Sequence, residues 1–338
     1  MRTIQPIRYL SFLSIALLLL TACRKDNVTS TVTPSTTATP AGSSGPDLVL
    51  TPAGLMARSN VHFIAPGYVL SVEHGRLQKL EASSGRMIED FGEVKRTVAG
   101  AAGIGGAGIG AAGSGGARVD AAGVRVAAAS GWIAYAYWSN PNTGSPITDF
   151  TTNWVVPSVP SRKSSQTIFL FNGLQDGTTS TSYIVQPVLQ WGPSAAGGGK
   201  YWSVTNWYVS SSQAFFGTLV NVSAGASLQG VIKQTAVSGS SYSYNSSFTG
   251  YSSASALQVN NVPQAFWAAE TLESYGVSTP STEYPPNSDL AFSSIQILQG
   301  TTNASISWTP VQAVSGSAQK AVVVSNASPG GQVDVYFR

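Results

Sequence analysis

Thr167-Ile168-Phe169-Leu170-Phe171, followed by Asn172-Gly173, is a short run of apolar residues that ends in a turn-forming pair. Runs of β-branched and aromatic residues bounded by turn residues are typical of strands. Similar runs occur at 183–191 and 201–209, and no long stretch between them has helical periodicity. About a dozen such strands over a region of this size predict an all-β fold, an antiparallel β-sandwich over residues 131–338.

Cysteine and histidine are scarce in this chain, and their scarcity limits its chemistry. The one cysteine is Cys23, and the two histidines are His62 and His74. From residue 75 onward the chain therefore cannot form a Ser-His-Asp triad or a Cys-His pair, and zinc seldom accepts carboxylates alone. We expect no metal and no cofactor. A metal pair at His62 and His74 would lack an obvious third ligand, so surface or packing roles are the simpler interpretation.

The N-terminus has the pattern of an export signal. Residues 1–22 combine two arginines with an apolar run too short to span a bilayer, and they end in Leu20-Thr21-Ala22-Cys23. This ending resembles the lipobox of bacterial lipoproteins, which implies cleavage before Cys23 and lipid attachment to it. Arg24 rather than Asp follows, which by resemblance to sorting rules favours the outer membrane or cell surface. The alternative is an ordinary signal peptide with a chance cysteine.

Three further segments precede the predicted sandwich. Residues 23–45 are rich in Ser, Thr and Pro and predict a flexible tether. Residues 46–97 contain two strand patterns and predict a small N-terminal unit. A propeptide is one role that such a unit would suit. Residues 98–130 are mostly Gly and Ala and predict a linker; a GxGxxG match at 103–108 falls inside this low-complexity run and does not indicate a dinucleotide site. The chain is 10% charged with a net charge of +3 and has no basic stripe, so we expect no nucleic-acid partner.

Two predicted strands carry polar residues that suit catalysis. Alternation places Gln190 on one face of its strand with Gln186 and Val188, and it places Glu270 on a face with apolar and small residues. A carboxyl in such surroundings is desolvated, which raises its pKa and suits acid–base chemistry. The alternative is a solvent-facing glutamate on a half-exposed strand.

Several segments between residues 149 and 300 resemble, in order, the glutamic peptidase (eqolisin) family. Val188-Leu189-Gln190-Trp191-Gly192 resembles the family segment that holds the catalytic glutamine, and Phe266-Trp267-Ala268-Ala269-Glu270 resembles the one that ends in the catalytic glutamate. Residues 169–177 resemble its Gly-Ile-Asp-Gly strand and turn, and residues 201–208 resemble its aromatic strand along the substrate cleft. Asn206 departs from the acidic residue that the family often carries there.

The resemblance implies a concanavalin-like, jelly-roll β-sandwich and an exported acid endopeptidase that acts on peptides or proteins as a monomer. Glu270 would be the general base on a water, and Gln190 would stabilise the oxyanion. Trp207, Tyr208 and Asp176 would contact substrate, although the register of Asp176 differs from the family pattern and both aromatic residues also suit core packing. The alternative is a non-catalytic carbohydrate-binding or adhesive surface module. The test is whether Gln190 and Glu270 face each other in one site.

Overall fold

The structure, a computed structural model, describes residues 47–95, 97–98, 118–119, 125–126, 129–177 and 180–338. The predicted signal peptide, Cys23, the tether and most of the Gly/Ala-rich linker lie outside these residues. Within the described ranges, no helix has the length and apolar character needed to cross a bilayer.

The described chain is built almost entirely of strands. Those of the first part are β1 (Leu48–Thr51), β2 (Gly54–Ala57), β3 (Val61–Phe63), β4 (Tyr68–Glu73), β5 (Arg76–Glu81), β6 (Met87–Glu93), β7 (Thr97–Val98), β8 (Arg118–Val119) and β9 (Arg125–Val126). Those of the middle part are β10 (Ala129–Ser139), β11 (Ile147–Val155), β12 (Thr167–Gln175), β13 (Ser180–Thr181), β14 (Tyr183–Ser194), β15 (Gly197–Ser210), β16 (Ala214–Phe216), β17 (Val220–Asn221) and β18 (Ser227–Ser238). Those of the last part are β19 (Ser241–Phe248), β20 (Leu257–Val262), β21 (Trp267–Val277), β22 (Asp289–Gln299), β23 (Thr302–Asn303), β24 (Thr309–Gln312), β25 (Lys320–Ser325) and β26 (Gly331–Tyr336). Helical structure in the described residues is limited to α1 (Pro280–Glu283) and 3-10 turns at Arg58–Asn60 and Ser253–Ser255.

Two large sheets form a sandwich, which confirms the predicted all-β sandwich fold. Sheet I has the order β24-β10-β21-β12-β14-β15-β16-β3, with β17 beside β15. Sheet II has the order β25-β26-β22-β11-β18-β19-β20-β4-β5-β6, with β23 beside β22. Nearly all neighbouring strands are antiparallel. Asn172-Gly173, predicted as a turn, instead continues β12, because β21 and β14 pair with that strand on both sides.

Alternation along the strands of sheet I produces two separate apolar layers. On β12, Ile168 and Leu170 face sheet II and belong to the main core, which residues of both sheets fill. Phe169 and Phe171 face away from sheet II and belong to a second cluster. We call these two sides of sheet I the inner face and the outer face.

The segment 46–97, predicted as a small unit of its own, contributes strands to both sheets. β3 pairs in parallel with β16 at the edge of sheet I, and β4 pairs in parallel with β20 in sheet II. The His62 ring stacks on Phe215, with centroids 5.0 Å apart, and lies 4.5 Å from the ring of Phe91. Burial lowers the pKa of His62, as expected for a packing histidine.

β1 and β2 pair with each other and with neither large sheet. This hairpin packs on the outer face of sheet I, where Leu50, Ala53 and Met56 contact the second apolar cluster. The Ala195 N–H donates a hydrogen bond of 2.7 Å to the carbonyl oxygen of Leu50. The outer face is therefore covered in part by the chain's own N-terminal hairpin.

Candidate functional site

Gln190 and Glu270 lie on opposite faces of sheet I. Glu270 is directly opposite Asn172 on β12, and Gln190 is directly opposite Phe169 on the same strand. Directly paired residues share a face, whereas Asn172 and Phe169, three residues apart, lie on different faces. The prediction that these two side chains meet in one site is therefore wrong. The reason is the register between β14 and β21, which alternation within each strand does not fix.

Glu270 is sealed between the two sheets. Its Oε1 accepts a hydrogen bond of 2.5 Å from the Thr152 hydroxyl of sheet II, and its Oε2 has no hydrogen-bond partner among the described residues. Asn172 lies beside it, and the Asn172 Oδ1 is 2.4 Å from where a Cβ at Gly230 of sheet II would be. Burial raises the pKa of Glu270 well above its usual range, only partly offset by the Thr152 hydrogen bond. Because the second sheet of the sandwich lies directly over it, Glu270 cannot reach a substrate.

Gln190 lies on the outer face, but its amide is already engaged. Its Nε2 donates to the carbonyl oxygens of Gly192 and Gly197 at 2.7 and 3.0 Å, and its Oε1 accepts from the Ser194 hydroxyl at 2.9 Å. A Cβ at Gly198 would lie 2.4 Å from Nε2, so the turn between β14 and β15 closes tightly over this side chain. Gln190 therefore holds that turn together instead of presenting its N–H groups to a ligand.

A second carboxyl, Glu273, lies on the same face as Gln190. Glu273 pairs with Phe169, which in turn pairs with Gln190, so the glutamate and the glutamine are two strands or about 10 Å apart. The Tyr275 hydroxyl donates to Glu273 Oε1, and the Trp132 side chain also interacts with this carboxyl; both contacts oppose the effect of burial on its pKa. Burial raises the pKa of Glu273 well above its usual range.

Gln186 is the free amide of the outer face. It is 1% exposed, and neither Oε1 nor Nε2 has a hydrogen-bond partner among the described residues. In its row across the sheet, Trp207 lies on one side, and Gly173 and then Ala269 lie on the other. On β21, the residue in line with Gln186 is Ala269, and Gly173 of β12 lies between them. This row of the described residues therefore contains an amide but no carboxyl.

Several buried polar atoms of the outer face lack a hydrogen-bond partner among the described residues, as do others between the sheets, such as Glu270 Oε2 and Trp154 Nε1. Those of the outer face are Tyr135 Oη, Thr271 Oγ1, Ser203 Oγ, Trp207 Nε1, Gln175 Oε1 and both amide atoms of Gln186. Most buried polar groups in proteins are hydrogen-bonded, so a group of unsatisfied atoms needs an explanation. An apolar, aromatic surface with a few convergent polar groups is the usual composition of a ligand site. We take the outer face as the candidate functional site.

The structure separates the three predicted substrate-contacting residues. Trp207 lies on the outer face beside Gln186. Tyr208 points to the main core, where its ring stacks on Tyr183 at a centroid distance of 5.7 Å, so the packing alternative holds for this residue. Asp176 accepts hydrogen bonds from the Ser182 N–H and hydroxyl at 2.8 and 2.6 Å, which anchor the connection that follows β12.

Sequence reasoning missed Gln186 and Glu273 as site residues, although a signal for each was present. Gln186 was placed correctly on one face with Gln190. On β21, alternation places Glu273 on one face with Trp267 and Thr271, opposite the face of Glu270. In the described ranges, no group of three or more His, Cys, Asp or Glu residues is arranged to hold a metal ion.

No protein-family model matches the sequence, and no curated protein matches it. In structure, the chain is similar to SCP-B, a member of the eqolisin family of peptidases solved with the tripeptide Ala-Ile-His, at 16% identity and a TM-score of 0.40, over 62% of this chain and 100% of that one. It is also similar to scytalido-glutamic peptidase, solved with transition state analogs, at 17% identity and a TM-score of 0.39, over 62% of this chain and 99% of that one. Because these values are low, the roles of individual residues rest on the geometry of this chain alone.

Proposed function

We propose that this protein binds polypeptide chains on the outer face of sheet I. The observation that supports the proposal is the β1–β2 hairpin, which occupies this face through the contacts that a bound peptide makes. A backbone carbonyl, that of Leu50, accepts from the Ala195 N–H, and apolar side chains pack on an aromatic surface. Main-chain hydrogen bonds supply affinity in such complexes, and the side-chain seats supply specificity.

The rings of this face are poorly placed to stack on sugars, which argues against the carbohydrate-binding alternative at this site. Trp132 and Trp267 are 6% and 5% exposed, and Trp207 is fully buried. Trp132 packs edge-on against Tyr135 at a centroid distance of 5.0 Å, so the rings contact each other instead of presenting open faces. Polypeptide is therefore the ligand class that we propose.

Peptide hydrolysis by the same face is a second candidate, and Glu273 is the observation that favours it. A general acid–base carboxyl needs a pKa raised toward the working pH and a place beside the substrate. Glu273 has a raised pKa and lies on the outer face; it is itself 0% exposed, so a substrate can meet it only where the segment that covers this face is displaced. Against hydrolysis, Gln190 is engaged in its turn and Gln186 lies in a different row from Glu273, so among the described residues no free amide lies beside this carboxyl.

One assay addresses both candidates. The wild type, Glu273→Gln and Glu270→Gln are incubated with an unfolded casein at pH 3 to 7, and both complex formation and new peptide ends are measured. We expect all three proteins to bind casein. If the protein also hydrolyses it, Glu273→Gln abolishes cleavage and Glu270→Gln retains it. A wild type that neither binds nor cleaves casein at any of these pH values contradicts the proposal.

We also propose that the protein is exported and anchored to a membrane by lipid on Cys23. The leader and its Leu-Thr-Ala-Cys ending support this. Replacing the thiol in Cys23→Ser should move the protein from the membrane fraction to the soluble exported fraction. Equal membrane association of the variant and the wild type would contradict lipid anchoring.

A further inference from the structure

We infer that the β1–β2 hairpin is a resident pseudo-ligand that closes the outer-face groove, and that the groove accepts uncharged, extended polypeptide segments resembling this hairpin. The inference rests on the proposed function, because it identifies what competes for that site and which substrate class fits it. The displaceable element is the hairpin alone and not the whole segment 46–97, because β3 to β6 are integral to the two sheets.

The hairpin is separable from the sandwich by its contacts. Its four residue pairs are internal, from Leu48 with Ala57 to Thr51 with Gly54, and it extends neither large sheet. Its described main-chain bond to sheet I is the one from Ala195 to Leu50. A cavity of about 310 Å³ remains beside it, bounded by Leu50 and Pro193 among others. A segment that leaves a cavity beside it and makes few backbone hydrogen bonds can detach at a low free-energy cost.

The two sides of the hairpin differ in a way that separates docking from exposure. Val49 and Met56 pair directly and so share one face of the hairpin; Val49 is 8% exposed and Met56 packs against the outer-face cluster, whereas Leu55 on the opposite face is 65% exposed. The ion pair of Arg58 and Asp47, 2.6 Å between Nε and Oδ2, closes the base of the hairpin but is itself exposed. Docking therefore depends on apolar contacts, which a competing peptide with apolar side chains at similar spacing can replace.

Gln190 positions the Ala195 N–H, the backbone donor that bonds to the docked hairpin. Ala195 lies in the turn between β14 and β15, and the Gln190 amide fixes that turn through Gly192, Gly197 and Ser194. The Ser194 hydroxyl also accepts from the Ala196 N–H at 3.1 Å. Gln190 is therefore a positioning residue, since it acts on the ligand through the Ala195 N–H.

The chemistry of the seat defines the substrate class. The polar groups beside the docked hairpin are the Ala195 N–H and the neutral side chains of Ser165, Thr167 and Ser194. Burying an unpaired charge there would be unfavourable, because Arg58, the charged side chain among the described residues that line this cavity, is already paired with Asp47. Charged peptides should therefore bind much more weakly than uncharged apolar ones.

The test uses the mature full-length chain and a fluorescein-labelled synthetic peptide of residues 48–57, which has no charged side chain. The double variant Val49→Asp with Met56→Asp, on the buried face, detaches the hairpin, and Leu55→Asp is the matched control on its exposed face. By fluorescence anisotropy, we expect the double variant to bind the peptide at least tenfold more tightly than the wild type or Leu55→Asp does. A peptide carrying the two aspartates should bind at least tenfold more weakly than the natural one. Adding Gln190→Leu to the double variant should weaken peptide binding, while Gln258→Ala, on β20 of sheet II, should not.

Each failure points to a different error. Equal affinity of all the proteins for the peptide would show that the hairpin does not compete. A double variant that binds casein but not the hairpin peptide would reject the substrate class and leave polypeptide binding standing. A double variant that remains folded by circular dichroism but binds neither would overturn both the inference and the proposed function. Should the double variant unfold, hydrogen exchange on the wild type replaces it: Ala195 N–H exchange slower than that of core strands would contradict a displaceable hairpin.

Discussion

Glu270 and Glu273 are three residues apart on one strand, yet they occupy different environments. Glu270 faces sheet II and bonds to Thr152 across the sandwich, whereas Glu273 faces the outer side and bonds to Tyr275 of its own strand. Both are fully buried, and both have raised pKa values because burial disfavours the charged form. The comparison shows that a raised pKa does not identify a site residue. The two glutamates differ in the face of sheet I on which each lies: sheet II covers Glu270, whereas Glu273 lies on the side away from sheet II.

The largest expected effect is on how the unfolding free energy depends on pH. A carboxyl whose folded pKa is raised stabilises the fold fully below its unfolded pKa, and that contribution is lost as the pH rises through the folded pKa. The unfolding free energy of the wild type should therefore fall between acid and alkaline pH. Glutamine mimics the neutral acid, so Glu270→Gln and Glu273→Gln should each flatten part of this fall, measured by urea denaturation at pH 4 and pH 8. A wild type as stable at pH 8 as at pH 4 would show that neither group is held neutral.

Two glycines probe the packing density on the two faces. A Cβ at Gly230 would lie 2.4 Å from Asn172 Oδ1 and 2.6 Å from a Trp154 ring carbon, and Gly230→Ala should destabilise by about 2 kcal/mol. A Cβ at Gly173, on the outer face, would meet Ile184 Cδ1 at 3.0 Å, and that flexible end can move. Gly173→Ala should therefore cost less than about 1 kcal/mol, because alanine also lowers the backbone entropy lost on folding. Equal destabilisation in thermal unfolding would contradict the proposed difference between the faces.

The smallest expected difference between the two faces comes from removing the hydrogen-bond donor to each carboxyl. Thr152→Val leaves Glu270 Oε1 unsatisfied between two sheets and should cost about 2 kcal/mol. Tyr275→Phe removes the donor to Glu273, but Tyr275 is 8% exposed at the rim of the outer face, where water can replace it, so about 1 kcal/mol is expected. Urea denaturation at pH 5 measures both, and a larger loss for Tyr275→Phe would reverse the comparison.

Much of the fold followed from the sequence, and the candidate site followed only in part. Apolar runs such as residues 167–171 predict strands because β-branched and aromatic side chains suit a pleated, buried surface. Alternation also grouped Gln186 with Gln190 correctly. It could not decide whether Gln190 shares a face with Glu270, since a shift of one residue in the register between strands reverses every side chain of one of them.

The N-terminal part shows a second limit of sequence reasoning. The patterns around Pro66-Gly67 predicted two strands about a turn, and β3 and β4 lie there. Nothing local indicates that one strand joins sheet I and the other joins sheet II, because their partners are β16 and β20, far along the chain. Such parallel pairings depend on tertiary contacts and not on local propensity.

The parallel pairings of β3 and β4 also set an order of assembly. Val61 is opposite Ala214, and Leu70 is opposite Val259, so strands near the start of the chain find neighbours that are synthesised much later. Contacts so distant in sequence carry a loop-closure penalty and form late in folding. Until then, the edges of β16 and β20 present unpaired backbone groups that can capture another chain. The newly made protein should therefore be most prone to aggregation just before its earliest strands return to seal both sheets.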